Sequence, residues 1–249
     1  MSNPSLPAEL LDQIVDHLHG SEDALESCCL ISKSWVPRAR KHLFARVEFH
    51  RISDIQSWER IFLDPSTSPA CYTRTLIIGC PEELRAADVG KDCWIQTFSR
   101  ITQLKIDVLS PSAEVLGVSL TPFYGLSPFI KSLRITSSRL LEETFDLACS
   151  FPLLEDLTVA VHFFCDPPRE CRRLVATQPS SPPPFTGTLK LFGPLRIDDI
   201  ASTLLSLPSG LHFRRLYLVG SYHDTSAWET ALVEKCCDTL ESIKIRVFV

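Results

Sequence analysis

Ten cysteines and seven histidines are the side chains of this chain best suited to chemistry, as metal ligands or as a thiol nucleophile with an imidazole base. The nearest things to metal signals among them are His17 and His19 in "HLH", the adjacent pairs Cys28-Cys29 and Cys236-Cys237, and Cys165 with Cys171. Adjacent cysteines leave a helix in different directions, and no second ligand pair follows at the spacing of a zinc site, so the pattern predicts neither metal nor cofactor. No CxxC, HExxH, GxGxxG or GxxxxGK[ST] occurs, and with nine glycines in the chain no glycine-rich phosphate cradle is encoded. A cysteine that meets a histidine only in the fold is the one enzymatic reading left, and no residue recommends it. The expectation is a protein that is not an enzyme. Its scattered cysteines, in a chain large enough to need no disulfide staples, read as reduced, small apolar side chains.

Composition narrows the partners. At 249 residues, with 45% hydrophobic and 22% charged residues, the chain has the make-up of a globular protein with a sizeable core. Its 25 basic and 30 acidic residues leave a net charge of -5, which gives no global attraction for nucleic acid or an anionic membrane. No window approaches about 18 consecutive apolar residues, and "MSNPSLPAELLDQ" lacks the basic and apolar regions of a signal peptide. The expected location is therefore the cytosol, the nucleus or both.

The first fifty residues predict three short helices. In "LPAELLDQIVDHL" Leu10, Ile14 and Leu18 recur at i, i+4 and i+8 beside a second row of Leu11 and Val15, Pro7 suits the first helical position, and Glu9 suits the positive end of the helix. Gly20 marks the end, and Ser21 is placed to cap a second helix carrying Leu25, Cys28, Cys29 and Leu30. Pro37 requires a third helix to begin near Ser34, with Trp35, Ala39 and Leu43 on one face and Val36, Arg40 and Val47 nearby. Three such helices bury too little apolar surface to stand alone, so a partner or a following domain must cover them.

The run Leu6-Pro7, Glu9-Leu10-Leu11, Ile14, Leu18, Leu25, Cys29-Leu30-Ile31-Ser32, Trp35, Ala39-Arg40 and Leu43-Phe44 resembles an F-box, notably the form common in mushroom-type fungi, over residues 5–48. The resemblance implies a docking module for the Skp-type adaptor of cullin-RING ubiquitin ligases. It also implies that Leu6, Pro7, Leu10, Ile14, Leu30, Ile31 and Trp35 make the contact, while Leu18, Leu25 and Leu43 are assigned to the helices' own core.

Past residue 70 a short unit repeats: "TLII", "QLKI", "SLRI", "DLTV", "TLKL", "RLYL", "SIKI", with second residues Leu76, Leu104, Leu133, Leu157, Leu189, Leu216 and Ile243. The alternation within each unit is that of a strand with one buried face. Helical patterns lie between units: Ala87, Trp94, Phe98 and Ile101; Leu141, Phe145 and Ala148; Ile200 and Leu204; Trp228, Leu232 and Cys236. One strand and one helix per repeat resembles the architecture of a leucine-rich-repeat solenoid, without that family's Asn or Cys ladder, which predicts an irregular stack with a parallel sheet. The expected organisation is α/β: an F-box-like domain at 1–48, a connecting helix within 49–70 carrying Ile55, Trp58 and Phe62, and about seven strand units over 71–249. The proline-rich stretch Cys165 to Gly187 is expected to be an exposed loop, with Ser181 before Pro182 a candidate phosphorylation site.

If the apolar pair of each unit points inward, the residue between faces the opposite, concave side. These residues are Ile77, Lys105, Arg134, Thr158, Lys190, Tyr217 and Lys244. Four of the seven are basic in an acidic chain, and the neighbouring outward positions add Arg215 and Arg246 against Asp107 and Asp156. Lysines that keep a sheet soluble give such a row, and so does a face that selects an acidic or phosphorylated segment; on the second reading Lys105, Arg134, Lys190, Tyr217 and Lys244 bind the target. Together with the resemblance this implies a substrate receptor of a Skp-cullin-F-box ligase. The alternatives are a scaffold that uses the adaptor without ubiquitylation and the cysteine-dependent enzyme.

Overall fold

The computed structural model describes residues 7–62, 64, 67–79, 94–108, 120–124, 126, 128–137, 144–161, 184–193, 204–206, 210–221 and 227–248. Leu6, Ala87, Leu141, Ile200 and most of the proline-rich stretch, Cys165, Cys171 and Ser181 included, lie outside them.

Three helices come first: α1 (Ala8–His17), α2 (Glu22–Ile31) and α3 (Val36–Leu43). Pro7 precedes α1 as its N-cap rather than opening it, and its carbonyl accepts from Leu10 and Leu11 N–H. Ser21 holds the N-cap position of α2, but its carbonyl rather than its hydroxyl makes the helical bond, to Leu25 N–H. Val15, Leu25, Cys28 and Ala39 form a small core of their own, against which Leu18, Cys29, Trp35 and Leu43 pack. This core is separate from the main one.

The rest is built on one eight-stranded, all-parallel sheet whose spatial order is the sequence order: β1 (Arg46–Phe49), β2 (Thr75–Ile78), β3 (Gln103–Val108), β4 (Ser132–Ser137), β5 (Asp156–Val161), β6 (Thr188–Phe192), β7 (Arg215–Ser221) and β8 (Ser242–Phe248). All seven repeated units are strands. Their register aligns two apolar rows across the sheet, Val47-Leu76-Leu104-Leu133-Leu157-Leu189-Leu216-Ile243 and Phe49-Ile78-Ile106-Ile135-Val159-Leu191-Leu218-Ile245. From β1 to β7 both rows are buried, and they form the backbone of the main core.

β1 is the first departure from the sequence reading, which set Val47 beside the third helix and ended a domain at residue 48. Val47 stands four residues after Leu43, a spacing that suits a helix, but Arg46 to Phe49 alternates exposed and buried, and Val47 and Phe49 extend the two apolar rows of the sheet. The boundary therefore falls inside a strand. The connecting helix α4 (Ile52–Ile61) follows, started by Asp54, whose Oδ2 accepts the N–H groups of His50 and Arg51 at 3.0 and 2.9 Å. Its Trp58 joins Phe49, Trp94 and Phe98 in an aromatic cluster, stacked on Phe98 at 5.4 Å between centroids and edge-on to Phe49 at 5.6 Å.

The connections are the second departure. A helix was expected in several repeats, and α5 (Thr144–Cys149) and α6 (Ala227–Cys236) supply two. The span around Trp94 is instead a 3-10 turn, Trp94–Thr97, with Ile95 and Phe98 turned into the core. What recurs most regularly is the way a strand begins. Ala45 O accepts the N–H groups of Arg74 and Thr75, Arg74 O those of Thr102 and Gln103, and Thr102 O those of Lys131 and Ser132; Lys131, Gly187 and Arg214 repeat the pattern. This ladder of paired bonds locks the repeats at one edge. Gly187 belongs to it: a Cβ there would lie 2.3 Å from Asp156 Oδ1.

Candidate interaction surfaces

The apolar residues of the three N-terminal helices fall into a buried set and an exposed set. Val15, Leu25, Cys28 and Ala39 point inward, whereas Leu10 and Ile14 are each 44% exposed, Ile31 67% and Leu30 88%. Leu10 and Ile14 are a turn apart on α1, and Leu30 and Ile31 close α2, so both helices offer bare apolar side chains to solvent. Pro7 is exposed beside them. Trp35 differs from the others of its set: it is half-buried and packs on the small core.

An ionic tie fixes α1 to α3. The Arg38 guanidinium donates to both oxygens of the Asp16 carboxylate, through Nε at 2.6 Å and through Nη2, and His42 Nε2 lies 2.7 Å from Asp16 Oδ1. The Arg38 hydrogen bonds first, and His42 second, hold the Asp16 carboxyl well below the usual carboxylate range. Sequence reading missed this cluster. Its available signal was the i, i+4 placement of Arg38 and His42, which puts both on one face of α3.

On the sheet, the residues between the two apolar rows line up in one register: Glu48-Ile77-Lys105-Arg134-Thr158-Lys190-Tyr217-Lys244. Eight strands at about 4.8 Å make a row roughly 34 Å long. Lys105, Thr158, Lys190 and Tyr217 are half-buried, and Arg134 and Lys244 are exposed. Ile77, expected to face outward with them, is instead buried at 5% exposure. It stands between Glu48 and Lys105, long side chains whose aliphatic stems shield an apolar neighbour. Lys190 Nζ and Lys244 Nζ sit 5.4 and 5.7 Å from the Tyr217 ring centroid, so two ammonium groups bracket one aromatic ring. Arg134 Nε donates to Thr136 Oγ1 at 3.4 Å. At the next position along the same face Thr136, Ala160 and Val219 are buried, Asp107 and Phe192 half-buried and Arg246 exposed. Glu48, unforeseen, puts an acid at the β1 end, engaged with Arg46 and with His50 at 3.1 Å.

The described cysteines are all free. Burial pushes the Cys149 thiol up to about 11 and also raises Cys236 and Cys29. Among the described residues no group of three or more His, Cys, Asp or Glu is placed to hold a metal, and no helix is long and apolar enough to cross a membrane. Comparison of the chain with protein-family models, curated proteins and solved structures finds no match in any of the three.

Proposed function

We propose that this protein is an F-box substrate receptor: its N-terminal helices dock a Skp-type adaptor, and its repeats, as an irregular leucine-rich-repeat-like stack, hold a target protein for a cullin-RING ubiquitin ligase. The observation that carries the reading is the exposure of Leu30, Ile31, Leu10 and Ile14 on a helical unit whose own core is only four side chains plus its partly buried neighbours. Bare apolar side chains on two helices are what a partner-binding surface requires. Its residues are those the F-box resemblance assigns to the adaptor.

The second surface is the row on the open face of the sheet. Lys105, Arg134, Lys190 and Lys244 are spread along about 24 Å, room for roughly seven residues of extended chain. Such a strip suits an acidic or phosphorylated segment of a target. Catalysis would reside elsewhere in the assembly, and this chain would contribute proximity by raising the target's local concentration. The assembly would work in the cytosol or nucleus.

Co-expression of the full chain with a Skp-type adaptor tests the docking half. Stable one-to-one co-purification is the expected outcome, and failure to associate at micromolar concentration would overturn it.

A further inference from the structure

Beside the sheet's lower edge, where α3 meets the first strands, lies a pocket of about 360 Å³ lined by Lys41, His42, Ala45, Cys71, Tyr72, Arg74 and Arg100. Three of these seven are Lys or Arg, a fourth is His, and none is acidic. Asp16, the carboxylate nearest in the bonding network, is held by Arg38 and His42 and is not part of the lining.

Two of the cations have an ordinary role. Lys41 and His42 occupy the last turn of α3, where positive charge offsets the negative end of a helix. Arg74 has no such role. It is the residue just before β2, and its basic equivalents before β4 and β7 are neutralised by the acid before the next strand: Lys131 Nζ pairs with Glu155 Oε1 at 2.9 Å, and Arg214 Nη1 with Glu241 Oε1 at 3.6 Å. The next equivalent after Arg74 is Thr102, which offers no charge. Arg74 Nη1 instead donates to the carbonyl of Arg100 at 3.1 Å, which holds its guanidinium at the pocket wall, and among the described residues neither arginine nor Lys41 pairs with a carboxylate.

We infer that this pocket binds a phosphate group. Two arginines and a lysine among the seven lining residues, with no carboxylate among them, carry more positive charge than a single carboxylate neutralises, and a phosphate dianion with three acceptor oxygens matches it. Tyr72 adds a phenolic donor and a flat apolar wall. The same chemistry is presented by a small phosphorylated metabolite and by a phosphorylated side chain, and the pocket's volume, near the lower end for small-molecule sites, admits either. This site is distinct from the Lys105-to-Lys244 row, and the inference does not depend on the receptor reading.

The test is calorimetric titration of the full chain with inorganic pyrophosphate, and separately with a phosphoserine peptide and its unphosphorylated form, at about 0.15 M salt. The wild type is expected to bind pyrophosphate or the phosphopeptide saturably at one site, and Arg74→Gln with Arg100→Gln to weaken it by at least about tenfold. Lys41→Gln, which leaves the strand edge untouched, should weaken it in the same direction. Lys105→Glu with Arg134→Glu should leave it unchanged. Binding of pyrophosphate alone assigns the pocket to a small phosphorylated molecule, and binding of the phosphopeptide alone to a modified protein. Absence of saturable binding to both, or binding that survives the pocket substitutions, would overturn the inference.

Discussion

Arg38 on α3 and Asp16 on α1, 22 residues apart in sequence, meet through two hydrogen bonds to one carboxylate, and His42 reaches the same group from the next turn of α3. The tie therefore joins the first and third helices beside the small core of Val15, Leu25, Cys28 and Ala39.

The tie makes the helical unit sensitive to acid. Because Arg38 and His42 hold the Asp16 carboxyl below its unfolded value near 3.9, the carboxylate stabilises the fold above that pH, and the contribution is lost as pH falls toward the lower folded value. Amide protection factors in α1 and α3 are therefore expected to decline from about pH 5 to about pH 3. In Asp16→Asn protection should already be lower at pH 7 and the acid slope flatter. An equally steep slope in the variant would assign the acid response to other groups.

A second expectation concerns the cluster that joins α4 to the sheet. Phe98 is fully buried and touches the rings of Phe49, Trp58 and Trp94. Phe98→Ala should destabilise the protein by about 3–5 kcal/mol in urea unfolding, because the cavity would sit between elements that cannot collapse onto it. A loss under about 1 kcal/mol would mean that the cluster is not a packed unit.

The strands were legible because a period of two with repeated Leu or Ile fixes both the element and its face, and the seven units paired in sequence order put the predicted row in one register. β1 was not, since Leu43 and Val47 satisfy a helical spacing while Val47 and Phe49 satisfy a strand, and only the partner strand decides between them. The outward position of Ile77 failed for a related reason: alternation names a face, but burial on that face depends on the length of the neighbours. The ionic tie and the phosphate pocket were beyond local pattern, because Asp16 meets Arg38 only through the helix packing and Arg74 meets Arg100 only across the repeat.

The buried and exposed sets of the N-terminal helices should separate on mutation. Leu25, 2% exposed, belongs to the small core, and Leu25→Ala is expected to cost about 2–5 kcal/mol. Leu30→Ala with Ile31→Ala removes only exposed surface, so its unfolding should stay within about 1 kcal/mol of wild type. Adaptor binding should show the opposite effect, with the double variant losing about 2 kcal/mol or more. Full adaptor affinity in Leu30→Ala with Ile31→Ala would place the docking surface elsewhere.

The sharpest test of the proposed target-binding row lies at its C-terminal end, where Tyr217 stands between Lys190 and Lys244 on three neighbouring strands. Holding two ammonium groups about one ring sets like charges near each other, and each cation–π contact returns only about 0.5–1 kcal/mol at an exposed site. An acidic side chain or phosphate laid across the ring would neutralise both, so the trio is better matched when occupied than when empty. Lys190→Glu with Lys244→Glu should therefore abolish recovery of the target from cells while adaptor binding and the thermal transition stay close to wild type. Recovery by the wild type should fall steeply with salt, as it must for charges in contact with solvent. If the charge-reversed protein captures the same partners with the same salt dependence, the lysines serve only to keep the sheet soluble and its edge unpaired.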